Sequence, residues 1–325
     1  MKQGSVLIGF CGDVMIGRMV DEVLNHRLPQ YLWGDVLPLL QEMDLNIINL
    51  EAALTTSARI VPKVFNFKAD PQKIALLTMA SIDLVNLANN HILDYSEEGL
   101  LETLKTLDEA KILHVGAGRN IAEARRPAII NRNGIKIGVL GYTDNEPDWV
   151  AAETSAGINY INVGDLAKVK RDLDTIRHEV DLVIVSLHWG PNMRTRPPPY
   201  FVDFAHQLID NGVDIIHGHS AHIFQGVEIY KNKLIMFDTG DFVDDYAVDP
   251  ILRNDQSFFF IVEVSKNGPC SLQLIPTIIQ ECQVNRANKE DIPMILARMQ
   301  KLSAERGTVL EERQGCLFKR IKNDT

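Results

Sequence analysis

The sequence predicts an α/β protein, and three observations carry that reading. Short apolar runs at residues 6–10, 45–49, 84–88, 181–187 and 214–217 have the length and the Val/Ile/Leu content of buried strands. Segments with helical spacing fall between them, at 71–79, 96–110, 165–179 and 201–211. Most of the runs also stop at a carboxylate, an amide or an imidazole. Open α/β sheets gather their ligand contacts at the carboxyl ends of the strands, so these tips are expected to share one site.

The stretch from Asp83 to Asp94, DLVNLANNHILD, has the pattern in its clearest form. It is apolar through Ala88, then turns to Asn89-Asn90-His91, with Asp94 three residues on. Such groups at the tip of a buried strand are costly to desolvate unless they bind something. Taken in order, the first run leads into Gly12-Asp13, and helical spacing follows over residues 15–25. Asp13 alone reads as a helix N-cap, and Arg18, in the first turns, reads either as a plain surface helix residue or as one facing an anionic substrate. The second run ends in Asn49-Leu50-Glu51, where Glu51 by itself reads equally as a solvated loop residue. Residues 59–67 form an irregular excursion in which Phe65 and Phe67 alternate with polar residues, as a pocket wall would. Asp70 then caps a helix that has Pro71 at its first position.

The fourth run ends in His188-Trp189-Gly190. Arg194-Thr195-Arg196 and three prolines follow, a fixed cationic loop beside the site or a stiff connector. After the fifth run comes Gly218-His219-Ser220-Ala221-His222, whereas His217, inside the apolar run, reads as structural. Hairpins are expected around Asn133-Gly134, Asn232 and Asn267-Gly268. The middle one ends in Asp238-Thr239-Gly240-Asp241-Phe242, again polar groups at a tip.

At 325 residues, 46% hydrophobic and 23% charged, the chain has ample material for a large core. No repeat or low-complexity linker divides it, so one domain is expected over residues 1–280. A C-terminal extension over 281–325, built on a helix at 290–306 and a basic tail (Lys319, Arg320, Lys322), is expected to pack on that domain. A net charge of −10 argues against nucleic acid or an anionic membrane as the main partner. Cys11, Cys270, Cys282 and Cys316 have no C-x-x-C spacing and fit a reducing compartment. No apolar run approaches the ~20 residues of a membrane span, and a cytoplasmic location is expected.

Together the tips supply Asp13, Glu51, Asn90, His91, His188, His219 and His222. Oxygen and nitrogen ligands without thiolate suit a divalent ion such as Mn²⁺, Zn²⁺ or Fe²⁺. Seven such groups exceed the needs of one tetrahedral ion, so one or two ions are expected.

The ordered blocks GDVMIGR, NLE, ANNHILDYSEEGL, LHWG, DIIHGHSAHIFQGVE and GDF resemble the CapA (poly-γ-glutamate capsule synthesis) family, a branch of the calcineurin-like metallophosphoesterases. The likeness runs from Asp13 to about Phe242. It implies a four-layer αββα sandwich of two mixed sheets with a site at the strands' carboxyl ends. It implies that Asp13 and His222 bind one metal, that Asn90, His188 and His219 bind the other, and that Glu51 bridges them. His91 would protonate a leaving oxygen or stabilise developing charge, with Asp94 orienting its ring. The chain departs from the wider pattern at Met15, where a histidine is usual, at Pro191-Asn192-Met193, which lacks the usual carboxylate, and at Ser220-Ala221. The expected activity is metal-dependent hydrolysis of a phosphoester or a γ-glutamyl or peptide-type amide, on an anionic small molecule or polymer held by Arg18, Arg194 and Arg196. Epimerisation by proton transfer and a non-catalytic place in a capsule-synthesis assembly are the alternatives.

Overall fold

The computed structural model describes residues 4–321. Two sheets carry the architecture. The main path of the larger one is Glu311–Arg313, Cys316–Arg320, Gly268–Gln280, Gln256–Ser265, Val6–Val14, Leu45–Leu50, Leu84–Asn86 and Leu113–Val115. Off this path, Asp241–Val243 pairs with Val6–Val14, and Gln283–Arg286 pairs with Gly268–Gln280. The smaller sheet is ordered Val227–Tyr230, Lys233–Met236, Ile215–His219, Leu182–His188, Ile135–Thr143 and Ala128–Arg132.

Alternation along the strands decides how these layers stack. Ile8, Phe10, Ile47 and Leu84 of the larger sheet meet Val139, Ile184, Ile215 and Leu234 of the smaller in one dry cluster. Their sequence neighbours point the other way. Ile48, Leu50 and Val85 pack against Val20, Leu77, Leu100 and Leu104 from the helices Arg18–Leu24, Ile74–Met79 and Ser96–Ala110. Val183, Val185 and Ile216 pack against Val169, Leu173, Phe204 and Leu208 from Leu166–Ile176 and Pro199–Asp210. The result is the αββα sandwich that the family resemblance implies.

Val6–Val14, Leu45–Leu50 and Leu84–Asn86 are parallel neighbours, as are Ile135–Thr143, Leu182–His188 and Ile215–His219. Parallel pairing brings the carboxyl ends of each set to one edge of its sheet.

Three elements differ from expectation. The first strand continues to Val14, because its second half is held between Leu45–Leu50 and Asp241–Val243 past a break in register at residues 10–13. A side chain at position 12 would put its Cβ 1.7 Å from the Gly240 carbonyl oxygen, so only glycine allows this approach. The following helix consequently starts at Arg18 rather than at residue 15. At the other end, Ile292–Ala304 is helical as expected, but the basic tail is a strand: Cys316–Arg320 pairs antiparallel with Gly268–Gln280. Glu311–Arg313 then forms a fully exposed, all-charged edge, which discourages pairing with a second chain. Lys322 lies outside the described residues. Among these, no helix is long and apolar enough to cross a membrane.

Candidate metal centre

Asp13 lies at the meeting of the two sheets. Its Oδ1 accepts a 2.7 Å hydrogen bond from Asn49 Nδ2 on the adjacent strand, and its Oδ2 accepts one of 3.1 Å from the Ser220 N–H. Asn49 is held in turn from behind, where its Oδ1 accepts from Asn86 at 3.0 Å and Asn89 at 3.2 Å. This amide ladder fixes the Asp13 carboxylate before any ligand arrives.

Asn89 also forms the turn that presents its two successors. Its Oδ1 accepts from the N–H groups of His91 and Ile92 at 3.0 and 3.1 Å, an Asx-type turn at the end of the Leu84–Asn86 strand. Asn90 Oδ1 then sits 2.9 Å from His188 Nε2. On adjacent parallel strands of the smaller sheet, His188 and His219 are register partners, so their rings emerge side by side. Their Nδ1 atoms are 3.0 Å apart, and each lies 3.6 Å from Asp13 Oδ1. The other ring nitrogen of His219 is engaged by Ser186 Oγ at 3.0 Å, which directs Nδ1 into the site. His222 has φ 60, an uncommon backbone for a non-glycine residue and one that concentrates at functional sites. Two bonds to Asp238 hold its loop: Ala221 N–H donates to Oδ2 at 2.7 Å and Gly240 N–H to Oδ1 at 2.8 Å. His222 Nδ1 reaches Asp241 Oδ1 at 2.8 Å and Asp13 Oδ2 at 3.5 Å.

Two groups of ligand-type atoms result. Asp13, His188 and His219 form one, and Asp13, Glu51, His222 and Asp241 form the other, each with its atoms within 4.8 Å of one another. All these residues are buried. Asp13 is the carboxylate common to both groups, the position for which the resemblance implies Glu51. Met15 is buried and its Sδ accepts from the Gly17 N–H at 3.2 Å.

The donor set fits a divalent cation. Both Glu51 carboxylate oxygens are buried without a hydrogen-bond partner and Asp241 Oδ2 is buried with no N–H or hydroxyl donor, a costly arrangement that positive charge would relieve. Burial, reinforced by the charge of Asp13, pushes the Glu51 carboxyl well above the usual carboxylate range. Burial and then Asp244 do the same to Asp241. Burial pushes the His219 imidazole down, keeping it neutral and able to ligate.

His91 stands at the edge of these groups without belonging to them. Its Nδ1 lies 2.6 Å from Asp94 Oδ2 and its Nε2 lies 3.8 Å from Glu51 Oε1. Phe67 stacks on the ring at 3.8 Å. His91, Asn90 and His222 open onto a cavity of ≈ 530 Å³ whose other walls include Phe65, Phe67, Met193 and Tyr246.

None of the three arginines expected at the substrate is among the residues lining that cavity. Arg196 is taken by Glu305 through two bonds of 2.6 and 2.7 Å, and Arg18 pairs with Asp245 at 3.2 Å behind the Phe65, Phe67 and Tyr246 rings. The Arg194 carbonyl is held by Gln225 Nε2. Lys63 is the cationic residue that lines the cavity, bonded to Asp94 Oδ1 at 3.0 Å and to the Asn90 carbonyl. Nothing in the local pattern around Lys63 marks it, since bonds to Asp94 far along the chain place it. Asp241 could have been found from its position in the Asp238–Phe242 tip.

Fold and site together define an αββα protein with a buried cluster of candidate metal-ligating side chains at the strands' carboxyl ends. More specifically, the chain belongs to the family described as bacterial capsule synthesis protein PGA_cap, whose model matches residues 7–246. It is 30% identical over 355 residues to a probable polyglutamine synthesis accessory protein of Mycobacterium tuberculosis, covering 93% of this chain and 92% of that one. It is also 30% identical to the capsule biosynthesis protein CapA of Bacillus anthracis, over 83% of this chain and 66% of that protein. Among solved structures, a 5'-nucleotidase precursor from Thermus thermophilus aligns with a TM-score of 0.45 and 12% identity, over 91% of this chain and 59% of that one.

Proposed function

We propose that the protein is a divalent-metal-dependent hydrolase that cleaves an amide or phosphoester linkage in an anionic substrate of capsule polyglutamate metabolism. The observation that carries the reading is the placement of His91. Its imidazole stands 3.8 Å from Glu51 of a buried ligand cluster, is oriented by a buried carboxylate and opens onto a cavity. The relatives' printed roles in polyglutamine synthesis and capsule biosynthesis support the γ-glutamyl amide as the first linkage to test.

In this reading Asp13, Glu51 and His222 would hold one ion, and Asn90, His188 and His219, with the shared Asp13 carboxylate, would hold a second. Bound there, Mn²⁺, Zn²⁺ or Fe²⁺ would polarise the scissile group and lower the pKa of an attacking water. His91 keeps its proton on Nδ1, donated to Asp94, so Nε2 is the atom that takes a proton on the cavity side and returns it to the leaving group. Phe67 excludes water from one face of that ring. Lys63 offers the cavity a cation for a carboxylate or phosphate of the substrate, with Arg18 contributing field from behind the aromatic wall. Arg194 and Arg196 belong to the rim of the reading rather than its centre. Asp13, Asn90 and the imidazoles need no thiolate partner, and the scattered cysteines support a cytoplasmic setting.

The test is hydrolysis of a γ-glutamyl anilide and of an aryl phosphate by protein reloaded with Mn²⁺ or Zn²⁺, alongside His91→Ala. Turnover of either substrate that disappears in the variant while metal is retained supports the reading. Solvent deuterium entering a glutamyl substrate without cleavage would overturn it in favour of epimerisation. Absence of both supports a binding role only.

A further inference from the structure

The two ligand groups are chemically unlike, and Asp241 makes them so. Asp241 is the register partner of Asp13 on a parallel neighbouring strand. Residues paired in this way project from the same face of a sheet at a spacing of about 4.8 Å, so the Asp241 carboxylate enters the site that Asp13 builds. Its Oδ1 is 2.8 Å from His222 Nδ1, while its Oδ2 is buried with no N–H or hydroxyl donor, and the carboxyl lies against that of Asp244. Glu51, in the same group, has neither oxygen satisfied. Ligands bound at about 2.1 Å in adjacent octahedral positions lie about 3 Å apart, close to the separations of His222 Nδ1 from Asp241 and Asp13. This group therefore offers three carboxylates and one imidazole. The other offers the shared Asp13 carboxylate, two imidazoles and the Asn90 amide oxygen.

We infer that Asp241 is a metal ligand and that its carboxylate makes the Asp13–Glu51–His222–Asp241 position a site for a hard divalent ion, Mn²⁺ or Mg²⁺, while the His188–His219 position takes Zn²⁺ or Fe²⁺. Carboxylate-rich oxygen sites suit Mg²⁺ and Mn²⁺, and imidazole-rich sites suit Zn²⁺ and Fe²⁺. The inference rests on the metal binding proposed above and adds which residues hold which class of ion. It does not depend on the substrate.

The experiment is metal binding to the full chain, stripped with a chelator and reloaded with one equivalent each of Zn²⁺ and Mn²⁺. Bound metal is counted by mass spectrometry and Mn²⁺ is observed by electron paramagnetic resonance. One Zn²⁺ and one Mn²⁺ per chain are expected. In Asp241→Asn, Mn²⁺ binding should weaken by about tenfold or more with Zn²⁺ binding retained. In His219→Ala the loss should fall on Zn²⁺. Unchanged Mn²⁺ affinity in Asp241→Asn overturns the inference and leaves the proposed hydrolase intact, whereas wild-type protein that binds no metal overturns both. Pulsed measurement of nitrogen coupling to Mn²⁺ in the wild type decides the matter even if the variant fails to fold. One imidazole, His222, is expected, and coupling to two imidazoles contradicts the assignment.

Discussion

Asp94 holds His91 and the wall of the cavity with the same carboxylate. Its Oδ2 lies 2.6 Å from His91 Nδ1 and also accepts the Phe67 N–H at 2.7 Å, while Oδ1 takes Lys63 Nζ at 3.0 Å. Phe67 then stacks on the His91 ring, closing a cycle of His91, Asp94 and Phe67 to which Lys63 is tied through Asp94.

This cycle separates two kinds of failure. His91→Ala should lower turnover by about 10²–10⁴-fold with bound metal unchanged, because the ring is not among the ligand groups. Asp94→Asn should lower turnover and also raise KM, since it loosens the segment carrying Lys63 and Phe67. Steady-state kinetics with metal analysis checks both, and a loss of metal in His91→Ala would contradict the assignment.

Glu51 exchanges stability for function. Its two unpartnered oxygens are a burden on the metal-free fold that Gln reduces by removing the ionisable group and supplying donors. In chelator, Glu51→Gln should melt above wild type, by about 1–3 kcal/mol of stability. With metal added the order should reverse. Thermal melts with and without Mn²⁺ read both arms, and a variant less stable than wild type in chelator would count against the fit of this site to a cation.

Most of the candidate cluster was legible before the fold was known, and the reason is geometric. Asp13, Glu51, Asn90, His188, His219 and His222 each follow an apolar run, and parallel strands deliver such tips to one edge. Asp241 was visible as a polar tip but not as a ligand, because its role comes from pairing with Asp13 across more than two hundred residues. Lys63 was invisible for the same reason, being placed by Asp94. The tail strands escaped because Glu311–Arg313 is charged and exposed while Cys316–Arg320 runs from apolar to basic, so neither carries hydrophobic alternation. The arginines misled in the opposite way: a basic cluster shows charge but not which acid neutralises it, and Arg196 meets Glu305 on the far C-terminal segment.

That pairing yields a simple contrast. Arg196→Ala should leave KM unchanged and stability nearly so, as exposed ion pairs contribute little. Lys63→Ala should raise KM for an anionic substrate, and the effect should shrink with added salt. Parallel kinetics on the two variants, at low and high ionic strength, distinguishes them.

Acid should destabilise the fold through His217. This ring is buried between the Cys11 carbonyl, 2.9 Å from Nε2, and Ser186 Oγ, 3.2 Å from Nδ1. Burial pushes its pKa down to about 4 from an ordinary 6.5. Between those values the unfolded chain binds the proton and the native one does not, so stability is full above pH 6.5 and is lost as pH falls towards 4. The loss from this ring should reach about 3 kcal/mol. Urea unfolding in chelator across that range checks it. His217→Gln should flatten the slope by about 1.4 kcal/mol per pH unit relative to wild type.

The central claim is that residues from six separate chain segments converge on bound cations, and anomalous scattering from crystals grown with Mn²⁺ and Zn²⁺ tests it most directly. Peaks within bonding distance of Asp13, His188 and His219, and of Asp13, Glu51, His222 and Asp241, are the expected result. A well-ordered site with no peak, and with Glu51 satisfied by water or by neighbouring groups instead, would contradict it.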